Sequence, residues 1–192
     1  MAELAEQARR ITGAIDIGRI PSWSRIDPRL HEAAWHTVDG KHYGVPFQWG
    51  PNVLMYNTRV FKEAPTSWSV VFDESSSYAG KVTAYDSPIY IADAALYLMN
   101  TQPDLGIENP YALDEKQLDA AVALLKEQRK YVGEYWSDYL KEIQAFETGD
   151  STVGTTWQVI KNNIKNKDVD VVLPTEGATA WNDTWMLSSQ AD

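Results

Sequence analysis

Cysteine is absent from the 192 residues, which excludes disulfides, thiolate metal sites and cysteine nucleophiles and leaves the redox compartment open. Histidine is scarce. His31, His36 and His42 are the three in the chain, and their spacing does not suit a helical metal pair, so surface histidines are expected. No apolar run approaches the roughly 20 residues that span a bilayer. The first ten residues, Met1 to Arg10, lack the apolar core of a secretion signal, so as written the chain carries no signal and would stay in the cytosol. Basic residues are outnumbered, 17 Lys and Arg against 27 Asp and Glu, for a formal net charge of −10. That disfavours nucleic acid, whose phosphates need clustered Lys and Arg to replace counterions, and favours a cationic or neutral partner. Catalytic signatures are missing as well: there is no Gly-x-Ser-x-Gly, no phosphate-binding glycine loop and no His-Glu-x-x-His. An enzyme using Asp86 and Asp183 as acid and base would lack a nucleophile, a metal set and a cofactor loop, so no enzyme, cofactor or metal is expected.

What the chain does have is aromatic residues, eight of them tryptophan. The stretch Glu176 to Met186 places Trp181, Asp183 and Trp185 after a turn at Gly177. Indole faces attract a cation through the ring quadrupole, worth about 0.5–2 kcal/mol, and a carboxylate adds a charge-assisted hydrogen bond. Trp49 and Trp157, like Trp181, stand beside glycines or polar residues at apparent strand ends.

Residues Glu3 to Ile11 read as a short helix, followed by irregular chain through Gly13, Gly18 and Pro21. Asp27 and Pro28 suit a capped helical turn. Tyr43 to Gly50 is extended and Asn52 to Asn57 is an apolar strand. Strand and helix then alternate. Lys81 to Tyr85 is a strand, and a helix runs to about Met99 with Ser87 as N-cap and Pro88 at its first position. Asp114 and Gln117 form a capping box ahead of Leu118, Ala121, Val122 and Leu125. Ser137 to Glu147 is a helix expected to bury Leu140, Ile143 and Phe146, with Asp138, Glu142, Glu147 and Asp150 on its polar side. A strand over Ser151 to Thr156 leads through Trp157 into a helix ending near Asn166. Val169 to Leu173 and Thr184 to Leu187 are further strands. The alternation predicts an α/β domain with helices on both faces of its sheet. Because ligands of such sheets bind beyond the strand C-terminal ends, Asp86, Trp157 and the Gly177 to Asp183 loop are expected on one rim. Asp86 also suits a plain capping role, and Tyr90 lies one helical turn beyond it.

Taken together, Tyr43 to Gly50, Thr66-Ser67-Trp68-Ser69, Tyr78 to Val82, Trp157, and Pro174 to Gly177 leading to Trp181-Asn182-Asp183 resemble the bacterial polyamine-binding proteins, the extracellular solute-binding components of spermidine/putrescine ABC importers. The resemblance runs from about Ile15 to the C-terminus. It implies an α/β fold like the type II periplasmic-binding proteins, a mixed sheet flanked by helices, in a two-lobed protein that closes on a polyamine-like or other small cationic solute without catalysis. This chain would be one lobe plus hinge segments: residues 1–56 a remnant of the first lobe with a hinge strand, 57–180 the second lobe, and 181–192 a returning hinge segment. A membrane permease is the implied partner, and the implied location is periplasmic or extracellular, with a membrane anchor. Trp157 matches a ligand-stacking tryptophan, Trp181 and Asp183 match a Trp-x-Asp pair that packs on and salt-bridges the amine, and Trp49 joins this set. Two amine-binding acids of the family fall here at Ser87 and Tyr90, with Asp86 adjacent, which implies a ligand with fewer ammonium groups or another cation. Val53, Met55, Trp185 and Leu187 would lack their usual cover, which invites dimerisation. The competing reading is a truncated fragment that folds and self-associates without binding.

Overall fold

The computed structural model describes residues 10–73 and 75–191. The helix expected over Glu3 to Ile11 therefore lies for the most part outside the described residues. The chain divides into two compact units, one formed by Met1–Gly50 with Trp181–Asp192 and the other by Pro51–Ala180.

The first unit begins with β1 (Thr12–Gly13) and a series of short 3-10 turns. One of them, Pro28–Leu30, starts as expected: the Asp27 carboxylate accepts the Arg29 backbone N–H at 3.0 Å, and proline occupies the first position. Strands β2 (Thr37–Val38) and β3 (Lys41–His42) form a hairpin. Its turn residues Asp39 and Gly40 both have positive φ, 51° and 71°, the conformation that matches strand twist in a two-residue hairpin and that Asp-Gly adopts most readily. The histidines depart from expectation, because His36 and His42 are buried. Nε2 of His36 lies 2.8 Å from the Leu30 carbonyl, so it carries the proton, and the Thr37 hydroxyl lies 3.1 Å from Nδ1 of His36 and 3.2 Å from Nδ1 of His42. Burial lowers the pKa of His36, as it must when the charged form loses its solvent.

From the first unit the 13-residue strand β4 (Val45–Asn57) runs on into the second. There it joins a mixed sheet in the order β6-β5-β7-β4-β8, built with β5 (Val82–Tyr85), β6 (Val132–Trp136), β7 (Val153–Trp157) and β8 (Val169–Val172). Strand β5 is parallel to β6 and β7, while β4 is antiparallel to β7 and β8. Alternation along β4 sorts its side chains onto two faces. Leu54 and Tyr56 enter a core with Trp68, Val71, Tyr97 and Leu98, whereas Met55 enters a second core with Trp136, Phe146 and Ile160. The helices α1 (Tyr90–Thr101) and α2 (Glu115–Gln128) supply the first core, and α3 (Tyr139–Thr148) and α4 (Gln158–Asn163) the second. This is the expected mixed sheet flanked by helices.

The return passes through β9 (Ala180–Trp185), which pairs with β4, to β10 (Leu187–Ser188), which pairs with β1.

Local expectations fare unevenly. The capping box at the start of α2 is present in both directions, Gln117 N–H to Asp114 Oδ1 at 2.8 Å and Asp114 N–H to Gln117 Oε1 at 3.0 Å. Helix α1 begins later than expected: its N-cap is Ile89, with no side-chain cap, because Ser87 and Pro88 instead accept the N–H groups of Tyr90 and Ile91 through their backbone carbonyls. The Ser87 cap with Pro88 at N1 is therefore corrected. In α3 the N-cap is Asp138 and the inward face is Glu142, Ala145 and Phe146, spaced i, i+3, i+4. Leu140 is exposed and Glu142 is fully buried, which reverses the expectation for both. Helix α4 stops at Asn163, short of Asn166. Val53 and Met55 are buried, so they do not lack cover; Trp185 and Leu187 are exposed.

Candidate functional site

In the second unit, parallel pairing of β5 and β7 brings their C-terminal ends side by side. Tyr85 and Trp157 end these strands and meet edge-on at a centroid separation of 5.2 Å, and Trp136, ending β6, packs 4.7 Å from Tyr85 and 5.1 Å from Trp157. Trp136 is fully buried beneath Trp157, which is half-buried. A half-covered indole on a rigid aromatic floor offers an apolar surface whose orientation is already set.

The antiparallel register places Asn52 of β4 opposite Trp157. Trp157 Nε1 donates to Asn52 Oδ1 at 3.0 Å. The other end of the same amide, Asn52 Nδ2, faces both oxygens of Asp93 at 3.2 Å and Thr179 Oγ1 at 2.7 Å, and the Thr179 hydroxyl donates to Asp93 Oδ1 at 2.5 Å. Asp93 lies on α1 with 3% of its surface exposed. Burial pushes its pKa from 3.8 up to about 6, against the opposing pull of the hydrogen bonds from Thr179 and Asn52. Sequence reasoning passed over Asp93; the signal available was a lone carboxylate within the apolar run Ile91-Ala92-Asp93-Ala94-Ala95-Leu96.

Beside Tyr85 the chain turns through Asp86, Ser87 and Pro88 into Tyr90. These residues, with Leu125, Gln128 and Tyr135, line a cavity of about 310 Å³. Asp86 is exposed, and its backbone N–H is taken by the Trp136 carbonyl at 2.8 Å. Ser87 is half-buried. Tyr90 is buried, with its hydroxyl accepting from Gln128 Nε2 at 2.8 Å, and burial raises its pKa. Gln128 Nε2 also donates to the Val71 carbonyl at 2.7 Å, while its Oε1 has no partner among the described residues.

In the first unit, Trp49 lies on β4, and Trp181 and Asp183 lie on its partner β9. Trp181 packs so closely over Gly50 that a Cβ there would sit 3.0 Å from its Cζ2. Asp183 is exposed and accepts from Gln48 Nε2 at 2.6 Å. Asn182 between them accepts the Trp35 indole N–H at 3.2 Å. Trp49 is exposed, and the Arg29 guanidinium stands 5.4 Å over its ring. That guanidinium also grips Asp27 at 2.6 Å, and its hydrogen bonds hold the Asp27 carboxyl at about 2. Trp49 thus has a cation of the chain itself on its ring.

Asp86, Ser87 and Tyr90 therefore share one cavity next to Trp157, while Trp49, Trp181 and Asp183 share a pair of strands in the other unit. Among the described residues no group of three His, Cys, Asp or Glu side chains is placed to hold a metal ion, and no helix is long and apolar enough to cross a membrane.

With this geometry in place, comparison with known proteins gives the class. Residues 6–192 match the family described as bacterial extracellular solute-binding protein, and the chain belongs to that family. A norspermidine sensor of Vibrio cholerae is 30% identical over 88 residues, covering 46% of this chain and 23% of that protein. Among solved structures, a spermidine/putrescine ABC transporter substrate-binding protein of Streptococcus pneumoniae superposes with a TM-score of 0.71 at 18% identity, over 97% of this chain and 54% of that one. A Treponema pallidum lipoprotein gives a TM-score of 0.75 at 17% identity, over 98% of this chain and 58% of that one. The chain thus spans less than a quarter of the curated relative it matches and little more than half of these structures. The mixed α/β architecture is that of periplasmic-binding proteins.

Proposed function

We propose that this protein is the solute-binding component of an ABC importer and that its solute is a small amine of the polyamine kind, bound without catalysis. The observation that carries the reading is Trp157: a half-buried indole at the C-terminal ends of parallel strands, fixed by Asn52 and packed edge-on against Tyr85, the residue before the exposed Asp86. An indole face covers methylenes and attracts an ammonium group, and a carboxylate adds a charge-assisted hydrogen bond. The norspermidine sensor of Vibrio cholerae and the spermidine/putrescine-binding protein of Streptococcus pneumoniae point to the same solute class. In this reading Trp157, Asp86, Ser87 and Tyr90 are the solute-binding residues of the second unit, and Trp181 and Asp183 are those of the first, where Trp49 meets solute only once Arg29 leaves its ring. A hydroxyl at Ser87 and a phenol at Tyr90 cannot neutralise an ammonium group as carboxylates do, so a diamine is favoured over a longer polyamine. Residues 57–180 are taken as the second lobe of the family fold. The membrane permease is the partner and the periplasm or cell exterior the site of action. The exposed apolar run Trp185, Met186 and Leu187 is proposed as a surface for self-association.

The test is a thermal-shift comparison of putrescine, spermidine, amino acids and sugars on the chain and on Trp157→Ala and Asp183→Asn. A ligand at one hundred times its Kd stabilises by about 2.7 kcal/mol, so an amine should raise Tm and both substitutions should reduce the rise. A rise with sugars or amino acids and none with any amine would overturn the reading.

A further inference from the structure

We infer that Asp93, hydrogen-bonded to Asn52 and Thr179, is a positioning residue that fixes the indole of Trp157 by dictating which end of the Asn52 amide faces it. The argument rests on the asymmetry of an amide. Asn52 is buried between Trp157 on one side and Asp93 with Thr179 on the other. The indole N–H can only donate, so a stable contact needs Oδ1 of Asn52 toward Trp157. An ionised carboxylate can only accept, so it demands Nδ2 of Asn52 on its own side, and both Asp93 oxygens lie 3.2 Å from Nδ2. The two demands agree. The Thr179 hydroxyl reinforces them by donating to Asp93 at 2.5 Å while accepting from Asn52 Nδ2 at 2.7 Å. Reversing the amide would set Nδ2 against the indole N–H and Oδ1 against the carboxylate, leaving two buried like-with-like contacts.

The same residues secure the ends of the second unit. Asn52 and Thr179 each lie one residue inside its limits, Pro51 and Ala180, and the Asn52 backbone N–H donates to the Thr179 carbonyl at 2.9 Å. Tyr111 clasps the next residue: its hydroxyl accepts the Ala180 N–H at 2.7 Å and lies 2.9 Å from the Ala180 carbonyl. Asp93 is thus the acceptor on which two otherwise separate chain segments and Trp157 are jointly organised.

Protonation changes that acceptor into a donor. A neutral Asp93 presents an O–H that no longer requires Nδ2 opposite it, so the constraint on the amide relaxes. The titratable groups facing Asp93 are Tyr90 on its own helix and Tyr111 from the segment before α2. Burial raises both phenols, so they stay neutral through the acid range.

The experiment follows the Trp157 indole N–H resonance in the ¹⁵N-labelled chain, identified among the eight tryptophans by its loss in Trp157→Phe, from pH 5 to pH 8. The expected result is a titration of this resonance that disappears in Asp93→Asn and in Asn52→Ala, the second keeping the Thr179 hydroxyl on Asp93 should the first fold poorly. A resonance that does not move with pH and keeps its position in both variants would overturn the inference. The inference builds on the amine-binding reading in one respect, that loosening Trp157 weakens its contact with putrescine. Complete loss of an aromatic contact of about 0.5–1.5 kcal/mol corresponds to a roughly two- to thirteenfold loss of affinity, the upper bound expected in Asp93→Asn. If the resonance titrates and no amine perturbs it, the positioning role stands and the amine reading fails; if amines bind and the resonance is inert, the reverse holds.

Discussion

Glu142 offers a prediction whose sign runs against ordinary acid denaturation. It is fully buried on α3, accepting from Thr156 Oγ1 at 3.0 Å and Thr83 Oγ1 at 3.4 Å. Among the described residues no basic side chain forms an ion pair with it. Burial raises its pKa well above the ordinary 4.5, outweighing the two hydroxyl hydrogen bonds. Between the unfolded and folded pKa values, the folded protein holds a proton that the unfolded chain has released. Stability due to this group is therefore full below the unfolded value of 4.5 and falls by about 1.4 kcal/mol per pH unit as pH rises, until the folded carboxyl ionises as well. Glu142→Gln removes the titration while keeping the shape. The threonine hydroxyls can exchange donor and acceptor roles to suit an amide, so the cost in acid should stay within about 1 kcal/mol. Urea unfolding followed by tryptophan fluorescence, at pH 5, 6 and 7, should show Glu142→Gln equal to or slightly below the parent at pH 5 and gaining on it by up to about 1.4 kcal/mol per unit above that. Asp93, with its pKa raised to about 6, adds a decline between roughly pH 4 and 6 that both proteins share, so the difference isolates Glu142. A constant difference at all three pH values would refute the reasoning, because it would mean that Glu142 does not change its proton affinity on folding.

The packing that buries Glu142 gives a second test. A Cβ on Gly154 of β7 would lie 1.7 Å from Thr83 Oγ1 and 2.7 Å from the Thr83 carbonyl oxygen, so Gly154→Ala should destabilise by about 3 kcal/mol or more, read as a lowered urea midpoint; an unchanged midpoint contradicts the packing. On the surface, Asp114→Ala removes one half of the capping box of α2 and should cost about 1 kcal/mol in the same assay, with no change in any ligand response.

The difference between these residues explains what a one-dimensional reading can reach. The α2 box is local, since Asp114 and Gln117 are three residues apart and satisfy each other whatever the rest of the chain does. The parallel strand ends are nearly as legible: alternation of strand and helix sets the direction of β5 and β7, and direction alone puts Asp86 and Trp157 at the same edge. Glu142 and Leu140 were misplaced because two helical faces of similar composition compete, and the choice was settled by Thr83 and Thr156, which await a carboxyl from strands 59 and 14 residues away. His36 and His42 are likewise buried around a hydroxyl, that of Thr37, which no spacing announces.

Asp93 is the furthest from local reach. Its role depends on Asn52 standing opposite Trp157, which in turn depends on the antiparallel register of β4 against β7, a pairing between residues 105 apart. A shift of that register by one residue would turn Asn52 to the other face and leave Asp93 with the Thr179 hydroxyl but without the Asn52 amide. The carboxylate therefore penalises a one-residue slip of this pairing. A polar group set in an apolar helix face at some cost to stability is here a specificity device for the strand that carries the candidate site.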